Sequence, residues 1–200
     1  MKVIARDFLT GTPYEYLIEE GLFRAIRPAD SSHPEKLPWI APGLYDVQVN
    51  GFGGVDFNNP ISKDDWLKAC SALATHGCTH FLATLITNNQ ENYRSLLTGI
   101  EKLRDEEDGC RGYHMEGPFL NPDPGTHGAH NTSWMCAANL TWLKEWQSIS
   151  KNNIRLVTIA PEIAPEKSLE FIRQAVAQEI RISLGHSVAT GEILKQAVDA

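Results

Sequence analysis

The residues best equipped for chemistry fall in one stretch, RGYHMEGPFLNPDPGTHGAHNTSW, residues 111–134, which holds three of the chain's seven histidines. In YHME, His114 and Glu116 are two positions apart, a spacing that puts both side chains on one face of a β-strand. Glycine and proline follow at once, so the strand must give way to a loop and no bulky neighbour crowds the Glu116 carboxylate. ISLGHS repeats the arrangement two strands later, ending an apolar run with His186 after a glycine. Each residue alone has an ordinary structural use. Glu116 could pair with an arginine or a helix N-terminus, and His186 could hydrogen-bond to the backbone. A carboxylate and an imidazole at the ends of two strands are also the donor set of a divalent metal site. Zinc, iron, cobalt and manganese all suit it, and the two residues do not choose among them.

A catalytic zinc normally takes three protein ligands. Gln48 and Asn50, at the end of LYDVQVN, are poor ones, because neutral amides lack the imidazole lone pair and the carboxylate charge. They suit hydrogen bonds to substrate or water, or simply the turn before GFGG. That turn lacks the full GxGxxG pattern and is read as flexible chain that lets a substrate approach the backbone. His33, His76 and His80 lie away from strand C-terminal ends and read as structural or solvated. Trp134, Trp142 and Trp146 read as packing residues.

Such side chains need a frame. From Ala41 onward the pattern is strand, loop, helix, repeated. Candidate strands at 44–49, 79–86, 110–116, 154–160 and 180–186 alternate with helical stretches at 62–75, 90–105, 140–150, 165–178 and 189–200. Ser62 before two aspartates is a helix start. Five βα units imply a parallel sheet, either doubly wound or part of a (β/α)8 barrel. On the first strand Asp46, Gln48 and Asn50 share one face, whereas a strand covered by helices on both sides should be apolar on both. This favours a TIM-type barrel, incomplete here because a whole one needs about 250 residues. Residues 1–40 give strand-like runs, MKVIARDFL and YEYLIEEGLFRAI, and form a small β appendage. The domain boundaries are therefore set at 1–40 and 41–200.

Composition narrows the partners. The formal charge of −7, with no cluster of Lys and Arg, argues against nucleic acid or an anionic membrane and for a small soluble substrate. Four cysteines without CxxC spacing, and a Met1–Leu9 segment too short and too polar for a signal peptide, point to reduced thiols in the cytoplasm.

Taken in order, APGLYDVQVNGFGG, HMEGPFLNP, GAHN, VTIAPE and LGHSVAT resemble the N-acetylglucosamine-6-phosphate deacetylases of the amidohydrolase superfamily, from about Ala41 to the end. The resemblance implies a metal-dependent (β/α)8 barrel with a small β-sandwich, of which residues 1–40 would be the N-terminal share. It implies an amino sugar phosphate substrate and a homodimer. Carried over by motif, Glu116 and His186 match metal ligands. Gln48-Val49-Asn50 stands where many amidohydrolases have an HxH pair, which resembles the subgroup with one divalent ion, zinc foremost and iron, cobalt or manganese as alternatives. A substrate-contacting histidine is expected in the loop after Glu116. His130 is favoured because HNTSWM continues in the family's manner, and His127 is the alternative. The family's catalytic aspartate, a further metal-binding histidine and most phosphate-binding residues fall beyond residue 200, so the chain is expected to be inactive alone. Three rivals remain: an amidohydrolase of another amide, a truncated binding protein without turnover, and a nucleotide-binding α/β protein.

Overall fold

The computed structural model describes residues 1–105 and 107–200. They form two compact units, Met1–Gly43 and Leu44–Ala200.

The first unit is one four-stranded sheet. Strands β1 (Lys2–Asp7), β2 (Pro13–Glu19) and β3 (Leu22–Pro28) form an antiparallel meander, and β4 (Trp39–Ile40) adds to β1 in parallel, giving the order β3-β2-β1-β4. The run YEYLIEEGLFRAI, expected as one strand, folds back on itself. Glu20 and Gly21, at φ +52° and +73°, make the left-handed two-residue turn that matches the twist of paired strands. A glutamate in that conformation is uncommon, so the sequence carries no Asn-Gly or Asp-Gly signal for the hairpin. Ala5 and Tyr16 are buried, and the Tyr16 ring lies 5.6 Å from that of Phe23.

The second unit alternates strand and helix. It runs β5 (Leu44–Val49), a small hairpin of β6 (Gly51–Phe52) and β7 (Val55–Asp56), α1 (Lys63–Thr75), β8 (Cys78–Ile86), α2 (Gln90–Leu103), β9 (Cys110–Glu116), α3 (Leu140–Ile149), β10 (Ile154–Ile159), α4 (Pro165–Val176), β11 (Arg181–Leu184) and α5 (Gly191–Asp199). The GFGG stretch is thus not loose chain. Gly53 and Gly54 both take positive φ and close a tight hairpin.

The five long strands are all parallel, in the order β11-β10-β9-β8-β5. Each new strand adds beside the last and the direction never reverses. A doubly wound sheet reverses at its switch point, so this is the winding of part of a TIM barrel.

The two faces of the sheet differ as a barrel wall requires. Leu85, Tyr113, Met115, Val157 and Ile159 are fully buried on the helix side, in one core with Trp66, Phe81, Tyr93, Trp146 and Phe171. The register pairs Thr84 with His114 and Thr158 with Glu116, which puts these four polar residues on the other face. All four are at most 8% exposed, so their polar atoms need partners. His114 finds two: Nδ1 lies 3.1 Å from the Val47 carbonyl and Nε2 lies 2.7 Å from Thr158 Oγ1. Burial lowers its pKa against the smaller opposing effects of Glu116 and the Val47 hydrogen bond. His114 is a neutral tie between three strands and has no nitrogen to spare for a metal.

Helix starts follow local chemistry. Ser62 and Asp65 form a reciprocal capping box on α1, and Asn89, Asn139 and Thr190 cap α2, α3 and α5.

Candidate metal centre

Glu116 is the last residue of β9, so its carboxylate leaves the sheet where the chain turns into the loop. The turn is held from below. Phe119, 1% exposed, follows Gly117-Pro118 and packs its ring 5.5 Å from Trp146 and 5.2 Å from Phe171. Gly117, at φ +104°, is needed for a different reason: a Cβ there would lie 2.1 Å from Thr87 Oγ1.

His186 follows β11 and takes a left-handed φ of +53°, which swings its ring out of the strand direction. Two loops fix it. Asn121 donates its backbone N–H to the His186 carbonyl at 3.1 Å, and His186 Nδ1 lies 2.8 Å from the Thr126 carbonyl oxygen. A carbonyl only accepts, so Nδ1 must carry a proton, and in the neutral ring Nε2 then presents its lone pair. That lone pair faces Glu116 Oε1 at 3.3 Å.

Two acceptors facing one another at that distance repel unless a proton or a cation lies between them. The separation is close to the edge of a tetrahedron around an ion with bonds of about 2.0–2.2 Å. The donor set, the His186 tautomer and the spacing therefore all fit a divalent metal. His130 is the third member: its Nε2 lies 3.9 Å from Glu116 Oε1, and its ring centroid lies 4.6 Å from that of His186. The ligating atoms of Glu116, His130 and His186 all lie within 4.8 Å of one another. On the far side of its ring, His130 Nδ1 lies 2.8 Å from Thr87 Oγ1 and accepts the Thr87 N–H at 3.3 Å. Burial lowers the His130 pKa; Glu116 opposes this, and His186 and His127 add to it.

The other residues expected from the sequence sit further out. His127 is half-buried, its carbonyl accepts from the His130 N–H, and its Nδ1 is buried without a hydrogen-bond partner among the described residues. Gln48 is exposed on β5. Asn50 is half-buried at its end and lines a recess of about 440 Å³ with Val55, Asn58 and Ile86. No described hydrogen bond joins either amide side chain to Glu116, His130 or His186.

Two residues of the site escaped the sequence analysis. Thr87 carries His130 as just described. Glu162, in the quoted VTIAPE, accepts hydrogen bonds from Asn121 Nδ2 at 2.8 Å, the Ser187 hydroxyl at 2.6 Å and the Val188 N–H at 2.8 Å. Burial works against its charge, yet these three donors hold its carboxyl below the ordinary range. The carboxylate ties the loop carrying His186 to the loop after Glu116. Neither role has a signal in spacing, because each depends on loops that meet only in the fold.

By fold and site the chain is a parallel α/β partial barrel bearing a carboxylate–imidazole cluster of metal-binding type where its strands end. No family model matches it. Known proteins are more specific. The mouse N-acetylglucosamine-6-phosphate deacetylase is 34% identical over 188 residues, 91% of this chain and 45% of that protein. The solved N-acetyl-D-glucosamine-6-phosphate deacetylase of Mycobacterium smegmatis matches with a TM-score of 0.84 at 25% identity, covering 100% of this chain and 53% of that one. A mutant of it in complex with N-acetyl-D-glucosamine-6-phosphate matches equally well. The chain therefore matches the N-acetylglucosamine-6-phosphate deacetylases over most of its own length, and it spans less than half the length of the curated relatives it matches.

Proposed function

We propose that this chain is the metal-binding portion of a (β/α)8-barrel deacetylase that hydrolyses the N-acetyl group of N-acetylglucosamine 6-phosphate to glucosamine 6-phosphate and acetate. The observation that carries the proposal is the convergence of Glu116 Oε1 and His186 Nε2 at 3.3 Å, from residues 70 positions apart in the chain.

In this proposal Glu116 and His186 hold one divalent ion, zinc foremost by the resemblance, although iron, cobalt and manganese suit the same carboxylate and imidazole donors. When bound, such an ion makes hydroxide available from water near neutral pH and polarises an amide carbonyl. The chain's own residues do the rest. Thr126 and Glu162 hold His186 in place, so the ligand nitrogen need not be reorganised on binding. His130, beside the two ligands, positions and polarises the acetyl carbonyl, and His127 stands next to it as the alternative contact. Gln48 and Asn50 offer amide hydrogen bonds to substrate or water. The proton carrier is an aspartate assigned, by the resemblance, to a position beyond residue 200. The four-stranded unit is the N-terminal share of a β-sandwich, and the complete enzyme is a homodimer. A cytoplasmic location accords with four free cysteines and with no described helix long and apolar enough to cross a membrane.

The test is turnover of a panel of N-acetyl sugars, with and without the 6-phosphate, by a full-length protein carrying this chain. Preference for N-acetylglucosamine 6-phosphate is expected. Preference for the unphosphorylated sugar would remove the substrate assignment, and deacetylation by the 200-residue chain alone would refute the placing of essential residues beyond it.

A further inference from the structure

Two imidazoles share the site, and the backbone groups behind them have opposite polarity. Behind His186 stands a carbonyl, that of Thr126, 2.8 Å from Nδ1. Behind His130 stands an N–H, that of Thr87, 3.3 Å from Nδ1. An N–H can only donate, so it is satisfied only if His130 Nδ1 is bare and the ring's proton sits on Nε2. Thr87 is 2% exposed, and an unpaired amide there would bear the full cost of its desolvation. The Thr87 hydroxyl, 2.8 Å from the same nitrogen, donates to it as well. Among the described residues its one other acceptor is the Glu116 carbonyl, at 3.5 Å. The approach is built in, because only a glycine at 117 leaves room for that hydroxyl.

We propose that Thr87 is a positioning residue which locks His130 in the tautomer with its proton on Nε2. His130 then faces the site as a hydrogen-bond donor and not as a third metal ligand. The proposal rests on the deacetylase assignment and sharpens it. A fixed N–H beside the metal ligands is the group that stabilises an oxygen gaining negative charge, while the third protein ligand must come from outside these three residues. His186, 4.6 Å away between ring centroids, carries the opposite tautomer for the opposite reason.

The tautomers can be read directly. Long-range proton–nitrogen spectra of the ¹⁵N-histidine-labelled chain, metal-free and at a pH above the imidazole range of about 6.5, distinguish a bare from a protonated nitrogen. His130→Gln assigns the signals. His130 should show a bare Nδ1 and a protonated Nε2, and His186 the reverse. Thr87→Val keeps the shape and the N–H but deletes the hydroxyl, and should move the His130 tautomer ratio about fivefold towards Nδ1–H, the worth of one buried hydrogen bond. Thr87→Ser should restore it. A protonated Nδ1 on His130 in the unmodified chain, or a folded Thr87→Val spectrum identical to it, overturns the proposal. If Thr87→Val does not fold, the unmodified chain's tautomer decides alone. Neither measurement needs substrate, so failure here would remove the Thr87 lock and leave the deacetylase assignment standing, whereas absence of turnover would leave the tautomers as measured.

Discussion

Glu162 braces the candidate metal site without being one of its proposed ligands. Its carboxylate is saturated by three donors from two loops, one of them adjacent to His186. Glu162→Ala should lower metal affinity by about 10–100-fold, the usual cost of losing such support, in a competitive chelator titration. Its depressed pKa also fixes a sign. The folded form favours the carboxylate, so Glu162 adds stability above its unfolded pKa of about 4.3 and loses that contribution as pH falls through the lower folded value. Glu162→Gln should therefore be less stable than the parent at pH 6, and the two should converge on acidification; parallel melting curves across that range would contradict this. Cysteines give a second check at this scale. Burial, with Asp108 and Cys110 adding to it, pushes the Cys70 thiol up to about 12, and burial raises that of Cys110. Alkylation at pH 8 should spare both in the native chain and reach them in denaturant. Of the candidate site, the convergence of Glu116 and His186 was legible because a strand end fixes the direction in which a side chain leaves the sheet. Thr87 and Glu162 were not, because their partners lie 43 and 25 residues away across loops.

At the level of elements, the five long strands and five helices of the second unit follow the sequence reading closely: β5 and β9 span the residues of the candidate strands at 44–49 and 110–116. Ser62 caps α1 as its position before two aspartates implies, and Ser62→Ala should cost about 1 kcal/mol in denaturant unfolding. The exceptions have local causes. The β2–β3 turn hides behind Glu20, and GFGG closes a hairpin whose two-residue strands are too short to show a period. The loop after β9 owes its course to Phe119, which reaches back under the helices. Phe119→Ala should destabilise the unit by about 3–5 kcal/mol and loosen the carboxylate that precedes it. A change below 1 kcal/mol would mean that the loop is held by something else.

For the molecule as a whole, strand order decides the architecture, and one polar strand face in the sequence already pointed to it. The sheet winds in one direction through five strands, its apolar face under helices and its polar face carrying Thr84, His114, Glu116 and Thr158. Closure of that wall, and the residues assigned beyond it, could not be read from these 200 positions. In the proposed function the chain brings a carboxylate and an imidazole to one cation. The direct measurement is the metal content of protein purified without chelator, set against Glu116→Gln and His186→Ala. About one divalent ion per chain in the parent, falling at least tenfold in both variants, is the expected result; unchanged metal content in both would show that these two residues do not hold the ion.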